Sequence, residues 1–252
     1  MRPYALSDLT WADVQRSTYD VAVLPWGATE PHNTHLPYAT DTIQAEAVAL
    51  EAARRAYERG GRPLVLPAIP FGANAMQLGL GPTIDLAPST QALVLGDVVR
   101  SLEAAGITRL VILNGHGGNG FKAMVRELQG RTSVFLCVLD WWRCVPAEDH
   151  FDEPGDHAGE LETSTMMHLR PDLVRALEDA GDGAERPFRV AALRDGWAWA
   201  PRDWHRMTAD TGVGDPSAST PEKGAAFVHA VANRVAAFLV EFAAMDPDDP
   251  YE

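Results

Sequence analysis

Two carboxylates and two imidazoles follow a short apolar run near the start of the chain. Glu30 and His32 are two positions apart, so an extended backbone would point both side chains the same way, and His35 and Asp41 come soon after. An unpaired charge beside a core costs several kcal/mol, so polar groups at the exit of a buried strand indicate a site that uses them. The pattern favours binding of a divalent metal ion. A solvated acidic loop with chance histidines is the alternative.

Two further segments carry the same ligand types. His116 lies inside the run N-G-H-G-G-N at residues 114–119, and His157, Glu160 and Glu162 lie close together later in the chain. Imidazole and carboxylate ligands without a thiolate suit zinc, manganese or magnesium. The set exceeds what one open catalytic ion needs, so we interpret it as a site for two ions with a bridging carboxylate. Two ions roughly 3.5–4 Å apart can share a hydroxide and polarise a carbonyl, which predicts hydrolysis of an amide-like or other acyl bond.

The glycines around His116 allow a second interpretation. A Gly-rich turn between a strand and a helix can cradle phosphate on backbone N–H groups. The run at residues 114–119 matches neither the dinucleotide-binding nor the P-loop pattern, and it has a histidine at its centre. We therefore favour glycines that let His116 face the ions and let substrate approach.

Composition excludes several classes of function. The chain has 252 residues and a formal net charge of −14, which argues against binding to nucleic acid or to an anionic membrane surface. Its two cysteines, Cys137 and Cys144, are too few for a disulfide framework and indicate inert thiols in a reducing compartment. The first residues do not resemble a signal peptide, and no run of 18 apolar residues occurs. We expect a soluble, cytoplasmic protein.

Apolar runs predict strands at residues 21–24, 64–69, 109–113 and 134–139. Helical spacing predicts helices at residues 11–16, 42–59, 89–105, 121–128, 161–169 and 221–244. This alternation predicts an α/β fold, a three-layer α/β/α sandwich with a mostly parallel sheet. In such folds ligands bind beyond the carboxyl ends of the strands, where the loops of His32 and His116 lie.

No linker or repeat divides the chain, so we interpret residues 1–252 as a single domain. Residues 181–219 have no regular pattern, and their tryptophans, Trp197, Trp199 and Trp204, are expected to pack on the domain or on a neighbouring subunit. Residues 246–252 are expected to form an acidic tail.

Three motifs together resemble those of the creatininase (creatinine amidohydrolase) family. They are E-P-H-N-T-H-L-P at residues 30–37 with Asp41, N-G-H-G-G-N at residues 114–119, and H-A-G-E-L-E-T-S at residues 157–164. The run G-V-G-D-P at residues 212–216 is similar to the family's C-terminal pattern. The resemblance implies a creatininase-like α/β/α fold, two divalent ions per chain (zinc or manganese), and a bridging hydroxide that hydrolyses a C–N bond of a small amide, cyclic amides included. It also implies a homo-oligomer, with a hexamer favoured.

The resemblance also implies a role for individual residues. Glu30, Asp41 and His116 would hold one ion. His32, Asp41 and Glu162 would hold the other, so that Asp41 bridges the two. His157 would transfer a proton to the leaving nitrogen. Gly117 and Trp142 would lie against the substrate, Trp142 as an aromatic residue near the entrance.

Several positions depart from the family pattern. Gly117 and Gly118 stand where creatinine-cleaving members carry an aromatic residue and a carboxylate, and Pro31 and Asn33 replace residues common in the first motif. We therefore do not expect creatinine as the substrate. Other members act on formamido-pyrimidines, peptide-like precursors or keto-sugars, so the substrate class stays open.

Two other functions remain open. One is a sugar-ring or lactone hydrolase that uses the same two ions, and the other is a binding protein that keeps its metal without turnover. Around the site, His35 is expected to orient a carboxylate rather than bind metal, and Glu160 is either a base behind the ligands or a helix cap.

Overall fold

A four-stranded parallel sheet forms the centre of the computed structural model, which describes residues 1–247 and 249–251. Asp248 and Glu252, which belong to the predicted acidic tail, lie outside the described residues. The strands run in the order β2-β1-β3-β4. Their bounds are β1 Val21–Trp26, β2 Pro63–Val65, β3 Arg109–Asn114 and β4 Phe135–Asp140. All three neighbouring pairs are parallel.

Helices connect the strands and complete the chain. The α-helices are α1 Trp11–Val14, α2 Thr40–Glu58, α3 Pro88–Ala104, α4 Phe121–Gln129, α5 Glu160–Leu169, α6 Ala191–Arg194, α7 Trp204–Met207 and α8 Pro221–Ala244. Short 3₁₀ helices occupy Leu6–Asp8, Ala75–Gln77, Trp141–Arg143, Ala147–Asp149, Pro171–Leu173 and Leu177–Asp179. α8 begins where the sequence predicted: Thr220 Oγ1 accepts a hydrogen bond from the Lys223 N–H, and Pro221 occupies the first turn.

Alternate residues of the central strands enter two separate cores. On one face, Val21 and Val23 of β1 pack with apolar residues of α2 and α8. On the other face, Ala22 and Leu24 pack with residues of α3 and α4. The side-chain period of two along a strand thus divides the apolar residues between two helical layers. The predicted three-layer α/β/α fold is confirmed, and the assignment of residues 1–252 to one domain stays a prediction.

Two of the differences from the predicted bounds have a clear physical reason or consequence. β2 ends at Val65 rather than at residue 69, because Pro67 and Pro70 lack the N–H that a sheet ladder needs. α2 begins at Thr40 rather than at residue 42, which places Asp41 inside the first turn of the helix instead of in the preceding loop. The second difference bears directly on the site.

Among the described residues, α8 is long enough and apolar enough to cross a membrane by length and composition, and 44% of its most apolar window is buried in the fold. Its buried residues, which include Phe227, Val231 and Leu239, belong to the core shared with α2. Packing inside the domain accounts for the apolar composition of this helix.

Candidate metal centre

The predicted ligands meet beyond the carboxyl ends of β1 and β3. Glu30 and His32 lie in the loop after β1, and His116 lies two residues after β3 ends. Asp41 and Glu162 stand in the first turns of α2 and α5. These side chains are buried except that of Glu162, which is 18% exposed.

One group of ligand atoms surrounds His116. Its Nδ1 atom lies 2.9 Å from Glu30 Oε1 and 3.0 Å from Asp41 Oδ2. One ligand atom from each of these three residues lies within 4.8 Å of the others. This spacing suits a single divalent cation.

A second group lies on the other side of Asp41. His32 Nε2 is 2.9 Å from Asp41 Oδ1 and 3.9 Å from Glu162 Oε2. These three residues also offer ligand atoms within 4.8 Å of one another. Asp41 therefore presents one oxygen to each group, which is the arrangement that the sequence predicted for a bridging residue.

Buried oxygen atoms without hydrogen bonds test whether a cation fits. Glu30 Oε2 is buried and accepts no hydrogen bond, and buried Asp41 Oδ2 has His116 Nδ1 3.0 Å away without a well-aligned hydrogen bond to it. A buried carboxylate oxygen without a partner carries a large desolvation cost, which a bound cation would offset. The residues present therefore fit a divalent metal ion, and zinc or manganese suits the mixture of imidazole and carboxylate.

Backbone carbonyls orient the imidazoles around the centre. His32 Nδ1 lies 3.1 Å from the Glu30 carbonyl, and His116 Nε2 lies 3.1 Å from the Ala73 carbonyl. Since a carbonyl only accepts, these nitrogens donate, and each ring directs its other nitrogen at the carboxylates. Fixing the tautomer through such a hydrogen bond is typical of histidines that bind metal.

The carboxylates favour positive charge in this buried site. Burial would lower the pKa of His32, but Asp41, Glu162 and Glu30 outweigh it and raise that pKa to about 10. Burial likewise opposes protonation of His116, whose pKa Glu30 and Asp41 nevertheless raise well above its ordinary value. Burial raises the pKa of Glu162 to about 7. The cluster thus attracts cations, and protons compete with metal ions for the two imidazoles.

His157 lies beside both groups but in a different electrostatic state. Its Nε2–H donates to the Pro31 carbonyl at 2.9 Å, so Nδ1 faces Glu30 Oε1 at 3.8 Å. Burial, and then the charge of His32, lower the pKa of His157 to about 4. The Trp204 ring packs against it in an edge-on contact, with centroids 4.8 Å apart. This ring is therefore neutral and held with an open nitrogen towards the ligands.

A pocket of about 190 Å³ opens above the ligands. Gly117 and Trp142 both line it, as do Arg143, Arg202 and Trp204. A Cβ placed on Gly117 would meet nothing within 4 Å, so space remains there. The predicted roles of Gly117 and Trp142 in substrate binding stay predictions.

Close packing requires two glycines of the 114–119 run. A Cβ at Gly118 would lie 2.4 Å from His116 Nε2 and 2.5 Å from the Ala73 carbonyl oxygen. A Cβ at Gly115 would lie 2.7 Å from the Asp41 carbonyl oxygen. Neither backbone is left-handed, so these glycines are required for close approach to the ligand segments rather than for a turn.

Two residues near the motifs do not join the cluster. Glu160 is fully buried and its carboxylate forms an ion pair with Lys223. Its Oε2 atom also accepts a hydrogen bond of 2.8 Å from the Glu153 N–H. His35 Nε2 lies 2.8 Å from Thr163 Oγ1, so it packs on α5 instead of orienting a carboxylate. Sequence reasoning missed Arg202 and Trp204 as pocket residues, because residues 181–219 have no periodicity from which a direction could be inferred.

The match to a family model decides the relationship. The model for creatininase (creatinine amidohydrolase) matches residues 7–239. The chain belongs to the creatininase family. A mycofactocin precursor peptide peptidase of Mycobacterium tuberculosis (strain CDC 1551 / Oshkosh) is 33% identical over 240 residues, which cover 88% of this chain and 87% of that protein. A creatinine amidohydrolase of Pseudomonas putida is 31% identical over 194 residues, covering 67% of this chain and 73% of that enzyme.

Solved structures of the creatininase family have the same fold. A candidate creatinine amidohydrolase of Bacteroides fragilis NCTC 9343 superposes with a TM-score of 0.92 at 43% identity, covering 98% of both chains. A creatininase in an Mn form gives a TM-score of 0.79 at 26% identity, covering 96% of this chain and 99% of that one. A Zn–Zn form is also known for a creatininase variant. The predictions of family membership and of a metal-dependent amidohydrolase are confirmed.

Proposed function

We propose that this creatininase-family protein hydrolyses the C–N bond of a small amide, cyclic amides included, at a centre for two divalent cations. The placement of Asp41 supports this most directly. Its Oδ2 atom lies 3.0 Å from His116 Nδ1 and its Oδ1 atom lies 2.9 Å from His32 Nε2. A carboxylate that presents one oxygen to each of two ligand groups can hold a pair of cations close together.

Each cation would have its own ligands besides Asp41. Glu30 and His116 would hold one, and His32 and Glu162 would hold the other. Zinc or manganese, when bound, would lower the pKa of a shared water molecule towards 7 and polarise the carbonyl of the amide. The protein contributes a buried, acidic site in which hydrogen bonds orient the ligand side chains before the ions bind.

His157 is placed to move a proton. The Pro31 carbonyl holds its Nε2–H, which leaves Nδ1 facing the ligands. A pKa lowered to about 4 keeps the ring neutral at neutral pH, and its unprotonated Nδ1 is the atom that would take a proton from the attacking water. The protonated ring would then give that proton to the departing nitrogen.

The pocket favours an amide other than creatinine. Gly117 and Gly118 present no side chain to the substrate, and the pocket of about 190 Å³ admits a small group at the ligands. The Mycobacterium tuberculosis relative is named as a peptide peptidase. We therefore place peptide-like amides ahead of creatinine for this chain.

Metal analysis combined with a substrate panel tests this function. We expect about two equivalents of zinc or manganese per chain by mass spectrometry of the metal, and turnover of at least one amide in a panel of peptides, lactams and lactones. Cleavage of lactones alone would replace the amidohydrolase with a lactone hydrolase. Tight binding of one amide without turnover would instead identify a binding protein.

Substitution of Asp41 tests the shared ligand. Asp41→Ala removes an oxygen from both ligand groups, so we expect both metal equivalents and all turnover to be lost. Glu51→Gln is the matched control, because Glu51 lies on the same helix and pairs with Arg54 and Arg55 at the surface. Retention of one full equivalent by Asp41→Ala would rule out a bridging role.

A further inference from the structure

A second cavity adjoins the metal centre. It encloses about 960 Å³ among residues 185–207 and Asp156, at the upper end of the volumes usual for ligand sites. Asp156 and Arg202 line both this cavity and the pocket above the metal ligands. The two spaces therefore meet at one pair of side chains.

The lining of the second cavity is basic although the chain as a whole carries a net charge of −14. Its arginines are Arg186, Arg189, Arg194, Arg202 and Arg206. Its carboxylates are fewer, namely Asp156, Glu185 and Asp203. A concave surface of one charge sign raises the local concentration of ligands with the opposite sign.

Most of these arginines have no carboxylate partner. Arg202 Nη1 pairs with Asp156 Oδ2 at 2.5 Å, and Arg206 Nε lies 3.4 Å from Asp203 Oδ2. Within the described part of the chain, Arg186, Arg189 and Arg194 form no ion pair, and they bond only to backbone carbonyls or not at all. Their guanidinium groups are available to a charged ligand.

Arg202 connects the cavity to the centre. Its guanidinium carbon lies 5.1 Å from the centroid of the Trp204 ring, and that ring packs on His157. Arg202 already holds one carboxylate, that of Asp156, at the boundary between the two spaces. A substrate carboxylate could replace it in the same geometry, since a guanidinium fork matches a carboxylate.

We propose that this cavity is an extended subsite for the carboxylate-bearing part of the substrate, with Arg186 and Arg189 as residues that determine specificity. The proposal rests on the amide hydrolysis proposed above. The scissile bond would lie at the metal centre, and the rest of the substrate would extend past Arg202 into the second cavity. An acidic peptide is the substrate class that fits both spaces. Its scissile amide bond would lie at the metal centre, and carboxylates on side chains several residues away would lie in the second cavity.

Calorimetric titration of the metal-loaded protein tests the subsite. The probes are N-acetyl-tetraglutamate amide and N-acetyl-tetraglutamine amide, which match in length and backbone and differ in charge. We expect the glutamate peptide to bind at least about tenfold more tightly, and we expect Arg186→Gln combined with Arg189→Gln to remove most of that preference. Arg100→Gln with Arg131→Gln is the matched control, because both arginines are exposed on other surfaces.

Four results would overturn the subsite. The first two are equal binding of the two peptides and an equal loss of preference in the control variant. The third is a glutamate preference that survives the loss of Arg186 and Arg189, which would place the peptide on the metal ions. The fourth is inorganic phosphate, titrated in the same way, binding as tightly as the glutamate peptide, which would indicate a general anion site. These readouts need no turnover, so a failed amide panel would contradict the proposed hydrolase alone.

Discussion

At the scale of single residues, His157 and His32 show how neighbouring imidazoles acquire opposite properties. Their ring centroids are 4.1 Å apart, and both rings donate to a backbone carbonyl. His32 also touches Asp41, which raises its pKa to about 10, whereas burial and the His32 charge lower the pKa of His157 to about 4. One ring therefore lies where the carboxylates favour a cation, and the other stays neutral with a free nitrogen.

Substitution of His157 separates these two properties. We expect His157→Ala to keep both metal equivalents, because neither proposed ligand set includes this residue, and to slow turnover by roughly 10²–10⁴-fold, the usual contribution of a general acid or base. Steady-state kinetics measure the change in turnover, and metal analysis measures the equivalents that the variant retains. Loss of metal equal to that of Asp41→Ala would show that His157 is a ligand instead, as its position near Glu30 and His32 would also allow.

The sequence predicted which residue types meet, but not how each is held. Glu30, His32, Asp41, His116 and Glu162 were identified from their types and motifs, and the fold brings all of them together. The hydrogen bonds that orient the rings come from backbone carbonyls, which every residue type carries, so no sequence pattern indicates them. The roles of these five residues as ligands stay a prediction that metal analysis decides.

At the scale of elements, the segment after β3 is positioned by close contacts. Gly118→Ala would force a methyl group against the His116 ring and the Ala73 carbonyl, so we expect a loss of stability of about 1–3 kcal/mol together with weaker metal binding. Gly117→Ala is the control one residue away, because its Cβ would meet nothing. Urea denaturation and metal titration of both variants check this, and equal effects would show that the contact is unimportant.

Asn114, the last residue of β3, ties this segment to its neighbours. Its Nδ2 donates to Asp140 Oδ1 and to the His116 carbonyl, both at 2.9 Å, and its Oδ1 accepts from the His116 N–H at 3.1 Å. Asn114→Ala leaves these buried groups without partners, so we expect a loss of about 1–3 kcal/mol in the free energy of unfolding and a fall of roughly 10–100-fold in metal affinity. Unchanged metal affinity in a folded variant would assign Asn114 to stability alone.

Most elements were predictable because their apolar periodicity is strong. β3 and β4 were placed within one residue of their observed bounds, and α8 begins at the predicted Pro221. The start of α2 was missed because Ala39 precedes it without a capping side chain, so no start signal marks Thr40. Strand order and the packing of α5 against α8 arise from contacts between distant residues, which local patterns do not contain.

At the scale of the whole molecule, two tryptophans stand out on the surface. Trp197 and Trp199 are 79% and 85% exposed, whereas Trp204 of the same irregular segment is 8% exposed. Exposed large aromatic residues are typical of contact surfaces. We expect the protein to form a homo-oligomer, with a hexamer favoured, in which the Trp197 ring is covered, whereas Trp199 lines the second cavity and stays accessible there.

A single substitution tests that assembly. Trp197→Ser should lower the molar mass measured by light scattering after size exclusion. Trp11→Ser provides a matched control, because Trp11 is 73% exposed on α1, a different part of the surface. A monomeric parent protein would contradict the expectation, and an unchanged oligomer in Trp197→Ser would place the contact surface elsewhere.

The separation of the ligands along the chain has a consequence for biosynthesis. The ligands lie on four segments, between positions 30 and 162. A ribosome releases these segments one after another, and an unfolded chain rarely holds a preformed metal site. The nascent polypeptide therefore has an incomplete set of proposed ligands until α5, which carries Glu162, has been translated and has packed on the domain. We expect the metal to bind only after α5 has docked, so metal starvation should leave finished apoprotein rather than arrested synthesis.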